Sequence, residues 1–253
     1  MPDNTNNFTP QTPPSGGRGA YLHVCLTPAL IPLFKVEDYI VVVIDIFRAT
    51  TSICYGIDNG AEAIIPVSQV EECLAYQEIH PEYLLAAERN GEVVSGFDFG
   101  NSPFSYTKEK VNGKTVVLTT TNGTHALHLS RNAKKIVIGS FLNLTTVCDW
   151  LKDQHENVLL VCSGWKNNFN LEDTLFAGAV TDQLKGNFRI DDAAIAANDL
   201  FEIAKDDLSG YLAKTSHSER LKQLGIEKDI AFCLNVDLTT AIPVLDGERL
   251  VKL

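Results

Sequence analysis

An α/β fold, with helices on both faces of a largely parallel or mixed central sheet (three-layer α/β/α), follows from three features of the sequence. From residue 39 onward, short apolar runs alternate with segments whose apolar residues recur every three or four positions. One run, Val41-Val42-Val43-Ile44, is apolar at every position, as a strand buried on both faces would be. Polar, small and charged residues gather where the predicted strands end, which is where open α/β sheets bind ligands.

The elements follow in order. Residues 1–19 are polar and rich in Pro, Gly and Asn, with no apolar signal core, and read as a flexible tail. Strands are predicted over 39–45, 63–67, 83–87, 115–119, 135–139 and 157–161. Helices are predicted over 50–60, 69–78, 123–131 and 144–153. Residues 89–106 break the rhythm with a Gly/Asn/Ser/Pro-rich stretch too long for an ordinary connector, and such loops are often functional. Beyond residue 171 the pattern is mostly helical, with a closing strand expected over 230–235. No repeat or linker divides the chain, so residues 20–253 are expected to form one α/β domain, or two subdomains.

Composition narrows the function. The 253 residues are 45% hydrophobic and 21% charged, which excludes wholesale disorder. With 21 Lys and Arg against 32 Asp and Glu, the formal charge is −11, and nucleic acid and anionic membranes are poor partners. No apolar run approaches the ~20 residues of a membrane span. The six cysteines form no CxxC pair and read as reduced buried thiols, so a cytoplasmic location is expected. The chain lacks a GxxxxGK[ST] loop, a GxGxxG after a strand, a GxSxG elbow and an HExxH pair. Carboxylate-bound Mg²⁺ is the site chemistry easiest to build from what remains.

Four strand ends carry candidate chemistry. Asp45 follows the all-apolar run and can ligate Mg²⁺ or attack phosphorus; Arg48 offers a donor fork to an anion, and Thr50 and Thr51 can cap the next helix. An ion pair plus a helix cap would use the same residues. Thr121-Asn122-Gly123-Thr124 suits an anion cradle, with Thr124 as helix cap, though Asn-Gly also marks hairpins. Ser163-Gly164 lets a ligand approach the backbone. Glu172 and Asp173 can join Asp45 around Mg²⁺, or can serve with Asn170 as a helix-start motif. Glu88 and Arg89 end a strand, and Asn101-Ser102-Pro103 shape a turn in the long loop.

Taken in order, Asp45-x-x-Arg48-Ala49-Thr50-Thr51, Glu88-Arg89-Asn90-Gly91, Gly96-Phe97-Asp98-x-Gly100-Asn101-Ser102-Pro103, Thr120 to Thr124, and Cys162-x-Gly164 with Glu172-Asp173 resemble the 2-phosphosulfolactate phosphatase (ComB) family over about residues 36–250. The resemblance implies a three-layer fold and a Mg²⁺-dependent acid phosphatase releasing phosphate from 2-phosphosulfolactate to give 3-sulfolactate, on the coenzyme M route. The partner expected is a small anionic phosphate ester, with a homodimer as the possible assembly. The expected catalytic groups are Asp45, Arg48 and Glu88, and the metal ligands Asp45, Glu172 and Asp173. Thr50, Arg89, Asn101, Ser102, Thr121, Asn122, Gly123, Thr124, Ser163 and Gly164 would bind substrate. A haloacid-dehalogenase-type phosphatase is the alternative, weakened because Phe47 stands where its second Asp belongs. A non-catalytic receptor for a small dianion is another.

Overall fold

The structure is a computed structural model and describes residues 19–89 and 92–253. Apart from Gly19, the predicted tail lies outside the described residues, as do Asn90 and Gly91. The strands are β1 (Tyr21–Cys25), β2 (Tyr39–Ile44), β3 (Ala63–Pro66), β4 (Leu84–Arg89), β5 (Glu92–Val93), β6 (Thr115–Thr119), β7 (Lys135–Gly139), β8 (Asn157–Cys162), β9 (Arg189–Ile190), β10 (Pro243–Asp246) and β11 (Arg249–Lys252). The helices are α1 (Ala49–Asp58), α2 (Val70–Ile79), α3 (Lys108–Val111), α4 (Gly123–Leu129), α5 (Leu144–Lys152), α6 (Leu171–Leu184), α7 (Asp192–Ala204), α8 (Leu208–Leu212), α9 (Ser216–Gln223) and α10 (Glu227–Cys233).

The fold is α/β, and the pleat of β2 shows why it has three layers. Ile40, Val42 and Ile44 enter one core, beneath α5, α6 and α7. Tyr39, Val41 and Val43 enter the other, with Ile53, Cys54 and Ile57 of α1 and Ala126 and Leu127 of α4. Successive side chains of a strand point to opposite faces, so a strand covered on both sides must be apolar throughout. Each such residue contributes roughly 1.5–3 kcal/mol of burial.

All the strands belong to one sheet, in the order β5-β4-β6-β3-β11-β10-β7-β2-β8-β1-β9. It consists of two parallel blocks, β9-β1-β8-β2-β7 and β3-β6-β4, joined by an antiparallel hairpin, β10-β11. The hairpin pairs antiparallel with both neighbours, Val244 with Val137 and Leu250 with Ile64, so the blocks run in opposite senses along the ladder. Five neighbour steps separate β2 from β6. At about 20–25° of twist per step, they swing the second block through roughly 100–125°. The carboxyl ends of β4 and β6 thereby open onto the same pocket as those of β2 and β8.

The predicted closing strand over 230–235 is corrected: its first four residues lie in α10. Ile230 and Cys233 are buried and the exposed Ala231 lies between them, a helical spacing, and a short apolar run cannot by itself separate the two states. The strands that close the sheet are β10 and β11. They turn through Gly247-Glu248, where Gly247 takes φ +59°, a conformation glycine adopts without steric cost.

Candidate active site

Asp45, immediately after β2, is fixed by its own turn. Its N–H donates to Thr50 Oγ1 (3.0 Å), its carbonyl accepts from the Thr50 N–H (3.0 Å) and Oγ1 (2.9 Å), and its Oδ1 accepts from the Ala49 N–H (3.3 Å). Thr50 is itself buried and absent from the pocket wall, so it acts by holding Asp45. Burial pushes the Asp45 carboxyl up to about 6; the Ala49 N–H and His217 oppose this, while Glu172 and Glu88 reinforce it.

Asp173 joins two strand ends. Its Oδ1 accepts from the Ile46 N–H after β2 (2.9 Å) and its Oδ2 from the Gly164 N–H after β8 (3.0 Å). Burial raises its carboxyl well above the usual range, and Asp45 and Glu172 raise it further. Gly164 turns at φ +59°, and a Cβ there would collide with the Asn168 carbonyl. Ser163 is buried, with a hydroxyl that has no hydrogen-bond partner among the described residues. Glu172 Oε1 accepts from Asn170 Nδ2 (3.0 Å) and is hydrogen-bonded to His217 Nδ1, whereas its buried Oε2 has no partner among the described residues.

The loop after β6 brings Thr121 and Asn122 to the pocket. Asn122, rather than the expected Thr124, is the N-cap of α4. Thr124 lies in the first turn, its Oγ1 donating to the Thr120 carbonyl (2.8 Å) and its N–H donating to Thr120 Oγ1 (3.2 Å). Asn122 Oδ1 accepts from the Lys166 N–H (3.0 Å), tying this loop to the turn after β8. Gly123 packs so tightly on Asp45 that an added Cβ would lie 2.9 Å from Asp45 Oδ2.

Glu88 and Asn101 also line the pocket, but Arg89 does not: its guanidinium donates to the Glu88 carbonyl (2.8 Å) and to Thr119 Oγ1 (3.3 Å). Arg48 pairs with Asp229 Oδ2 at 2.6 Å, and Ser102 Oγ donates to the other Asp229 oxygen (3.1 Å). Asp45, Arg48, Glu88, Asn101, Thr121 and Asn122 thus share one small pocket. Among the described residues, no three or more His, Cys, Asp and Glu side chains are grouped to hold a metal ion. The six cysteines are buried and unpaired, and burial pushes Cys25, Cys54, Cys73, Cys148 and Cys233 up to about 12, so none of these offers a thiolate.

Residues 25–248 match the family model described as 2-phosphosulpholactate phosphatase. The chain belongs to that family. A probable 2-phosphosulfolactate phosphatase of Thermotoga petrophila is 44% identical over 216 residues, spanning 85% of this chain and 93% of its own. Others of the same description are 39% identical: one from Caldanaerobacter subterraneus subsp. tengcongensis (81% of this chain, 87% of its own) and one from Gloeobacter violaceus (86% and 92%).

Three charged or titratable residues of this family member's site escape the reading of strand ends. His217 and Arg220 on α9 line the pocket, and Asp229 on α10 anchors Arg48. They lie in helices far along the chain, where Ser216–Gln223 reads as an ordinary polar, solvated helix. The one available signal is buried charge demanding a partner: Glu172, fully buried, and Arg48 each require one.

Proposed function

We propose that the chain is a cytoplasmic phosphatase that hydrolyses 2-phosphosulfolactate to 3-sulfolactate and phosphate, a step on the route to coenzyme M. The observation that carries this reading is the convergence of Asp45, Arg48 and the Thr121-Asn122 loop in one pocket built from four separate strand ends, those of β2, β4, β6 and β8. Family membership supports it. A receptor that merely held a dianion would gain nothing from Asp45 and Glu88 beside the anion, where like charges repel. Hydrolysis does use a carboxylate there. The oxygen of water bonds to phosphorus, the ester P–O bond breaks, and a water proton passes to the departing alkoxide.

In this reading Arg48, oriented by Asp229, faces the phosphoryl oxygens and withdraws charge as they become more negative. The Thr121 hydroxyl and the loop amides hold the phosphate. Asp45 either accepts the proton of the attacking water or attacks phosphorus itself; acid-quenched single turnover, followed by a search for a phosphorylated Asp45 peptide, separates the two. Mg²⁺ belongs to the proposal. Two carboxylates suit a cation that binds through one or two such groups and keeps several waters: Asp45 lines the pocket, and among the described residues the buried Glu172 Oε2 lacks a partner. When bound, Mg²⁺ would offset charge on the phosphoryl oxygens. Asp173, with both oxygens on backbone amides, braces the loops instead.

The test is inorganic phosphate release from 2-phosphosulfolactate and a panel of simple monoesters, with and without EDTA. The expected result is turnover preferring 2-phosphosulfolactate, lost on chelation and restored by Mg²⁺. Absence of any release removes the phosphatase reading, and release indifferent to EDTA removes the metal.

A further inference from the structure

Beside the catalytic pocket lies a second cleft of ≈ 470 Å³, bounded by Phe169, Leu171 and Thr215. Trp165, His217 and Arg220 line both spaces and so form the wall between them. Arg220 stands over the Trp165 ring, its guanidinium carbon 3.7 Å from the centroid. It is half-buried, and within the described residues it makes no hydrogen bond or ion pair. The other pocket arginine, Arg48, is already committed to Asp229. Burial lowers the pKa of Arg220, with Glu88 opposing, Arg48 adding to the shift and Glu172 opposing it, so all three charges lie near enough to sense it, although neither carboxylate pairs with the guanidinium.

A guanidinium held over an aromatic ring keeps its N–H edge available for bidentate contact with a carboxylate or sulfonate. Leaving such a fork without an anion, at the mouth of a phosphate pocket in a chain of net charge −11, makes sense if the substrate brings the anion. We propose that Arg220 is the specificity-determining residue for the substrate's second anionic group, the carboxylate or sulfonate that distinguishes 2-phosphosulfolactate from a simple phosphate monoester. This rests on the phosphatase reading above. The role expected for Arg89 thereby passes to a residue of α9, because the Arg89 guanidinium is spent on Glu88 and Thr119.

The test compares wild type with Arg220→Met, which keeps a packing stem on Trp165 and removes the charge. Two esters are used, 2-phosphosulfolactate and isopropyl phosphate, together with calorimetric binding of 3-sulfolactate, which carries no phosphate. The expected result is a 10–100-fold fall in the ratio of kcat/KM for 2-phosphosulfolactate to that for isopropyl phosphate, carried by KM. The Kd of 3-sulfolactate weakens by a similar factor. An unchanged ratio, or an unchanged Kd, overturns the assignment, as does wild type that fails to bind 3-sulfolactate. Arg220-dependent binding of 3-sulfolactate without phosphate release from any ester sinks the phosphatase reading and leaves the anion site standing. Phosphate release with an unimpaired ratio does the reverse.

Discussion

Arg48 and Asp229 are 181 positions apart, and both are almost fully buried in their 2.6 Å ion pair. Such a pair gains little net stability over apolar packing, but losing one partner strands the other charge. Asp229→Ala is therefore expected to cost about 3–5 kcal/mol in chemical denaturation, with reduced turnover as Arg48 loses its anchor. Away from the pocket, His23 shows the same desolvation logic. Its Nδ1 meets the Tyr39 hydroxyl (2.9 Å), and burial lowers its pKa below 6.5, opposed by Asp191. The unfolded chain then binds more protons at this residue than the folded one as pH falls below 6.5, so the stability involved is present above that pH and lost beneath it. Thermal melts of wild type and His23→Gln at pH 7.5 and 5.5 should show a smaller acid-side loss in the variant; equal losses would contradict this. Neither pairing is visible in the sequence, because a buried charge announces its need for a partner but not the partner's position.

At the scale of elements, most of what positions the site was legible. The strand over 115–119 and that over 135–139 appear at the expected bounds, Ser163 follows a strand as read, and the strand expected over 39–45 ends one residue early, leaving Asp45 just beyond it. Alternating and continuous apolar runs report burial directly, so they survive into structure. The 230–235 strand did not, because the five-residue apolar run Ile230 to Leu234 fits a buried helix face equally well. The true closing hairpin carried an Asp246-Gly247 turn signal between two short apolar stretches. How the β6–α4 loop seats against β2 was not legible at all. It is a contact between elements and is testable at Gly123, where a methyl group would lie 2.8 Å from Ala49 Cβ as well as against Asp45. Gly123→Ala should lower kcat about 10²-fold by displacing the carboxylate, with a much smaller fall in Tm. Full activity would show that the loop does not fix Asp45.

For the molecule as a whole, the C-terminal hairpin is the piece on which the site's assembly depends. It sits mid-sheet between two parallel blocks, each of which supplies part of the pocket, although β10 and β11 come last in the chain. The sequence announced strand-end chemistry in both blocks but not that they run in opposite senses, since ladder order depends on pairings between distant residues. Leu250 is fully buried where β11 meets β3. Leu250→Ala is expected to cost about 2–5 kcal/mol, seen as a fall in Tm of roughly 5–15 °C. A negligible shift would mean that the blocks hold together without the hairpin.

The most direct check on the whole account is steady-state phosphate release from 2-phosphosulfolactate by Asp45→Asn, run beside wild type with matching circular-dichroism spectra. The residue sits where both blocks meet, and its replacement keeps shape while removing charge. The expected result is a fall in kcat of about 10³-fold or more, equivalent to about 4 kcal/mol of transition-state stabilisation, in a protein that still folds. Turnover close to wild type would contradict it.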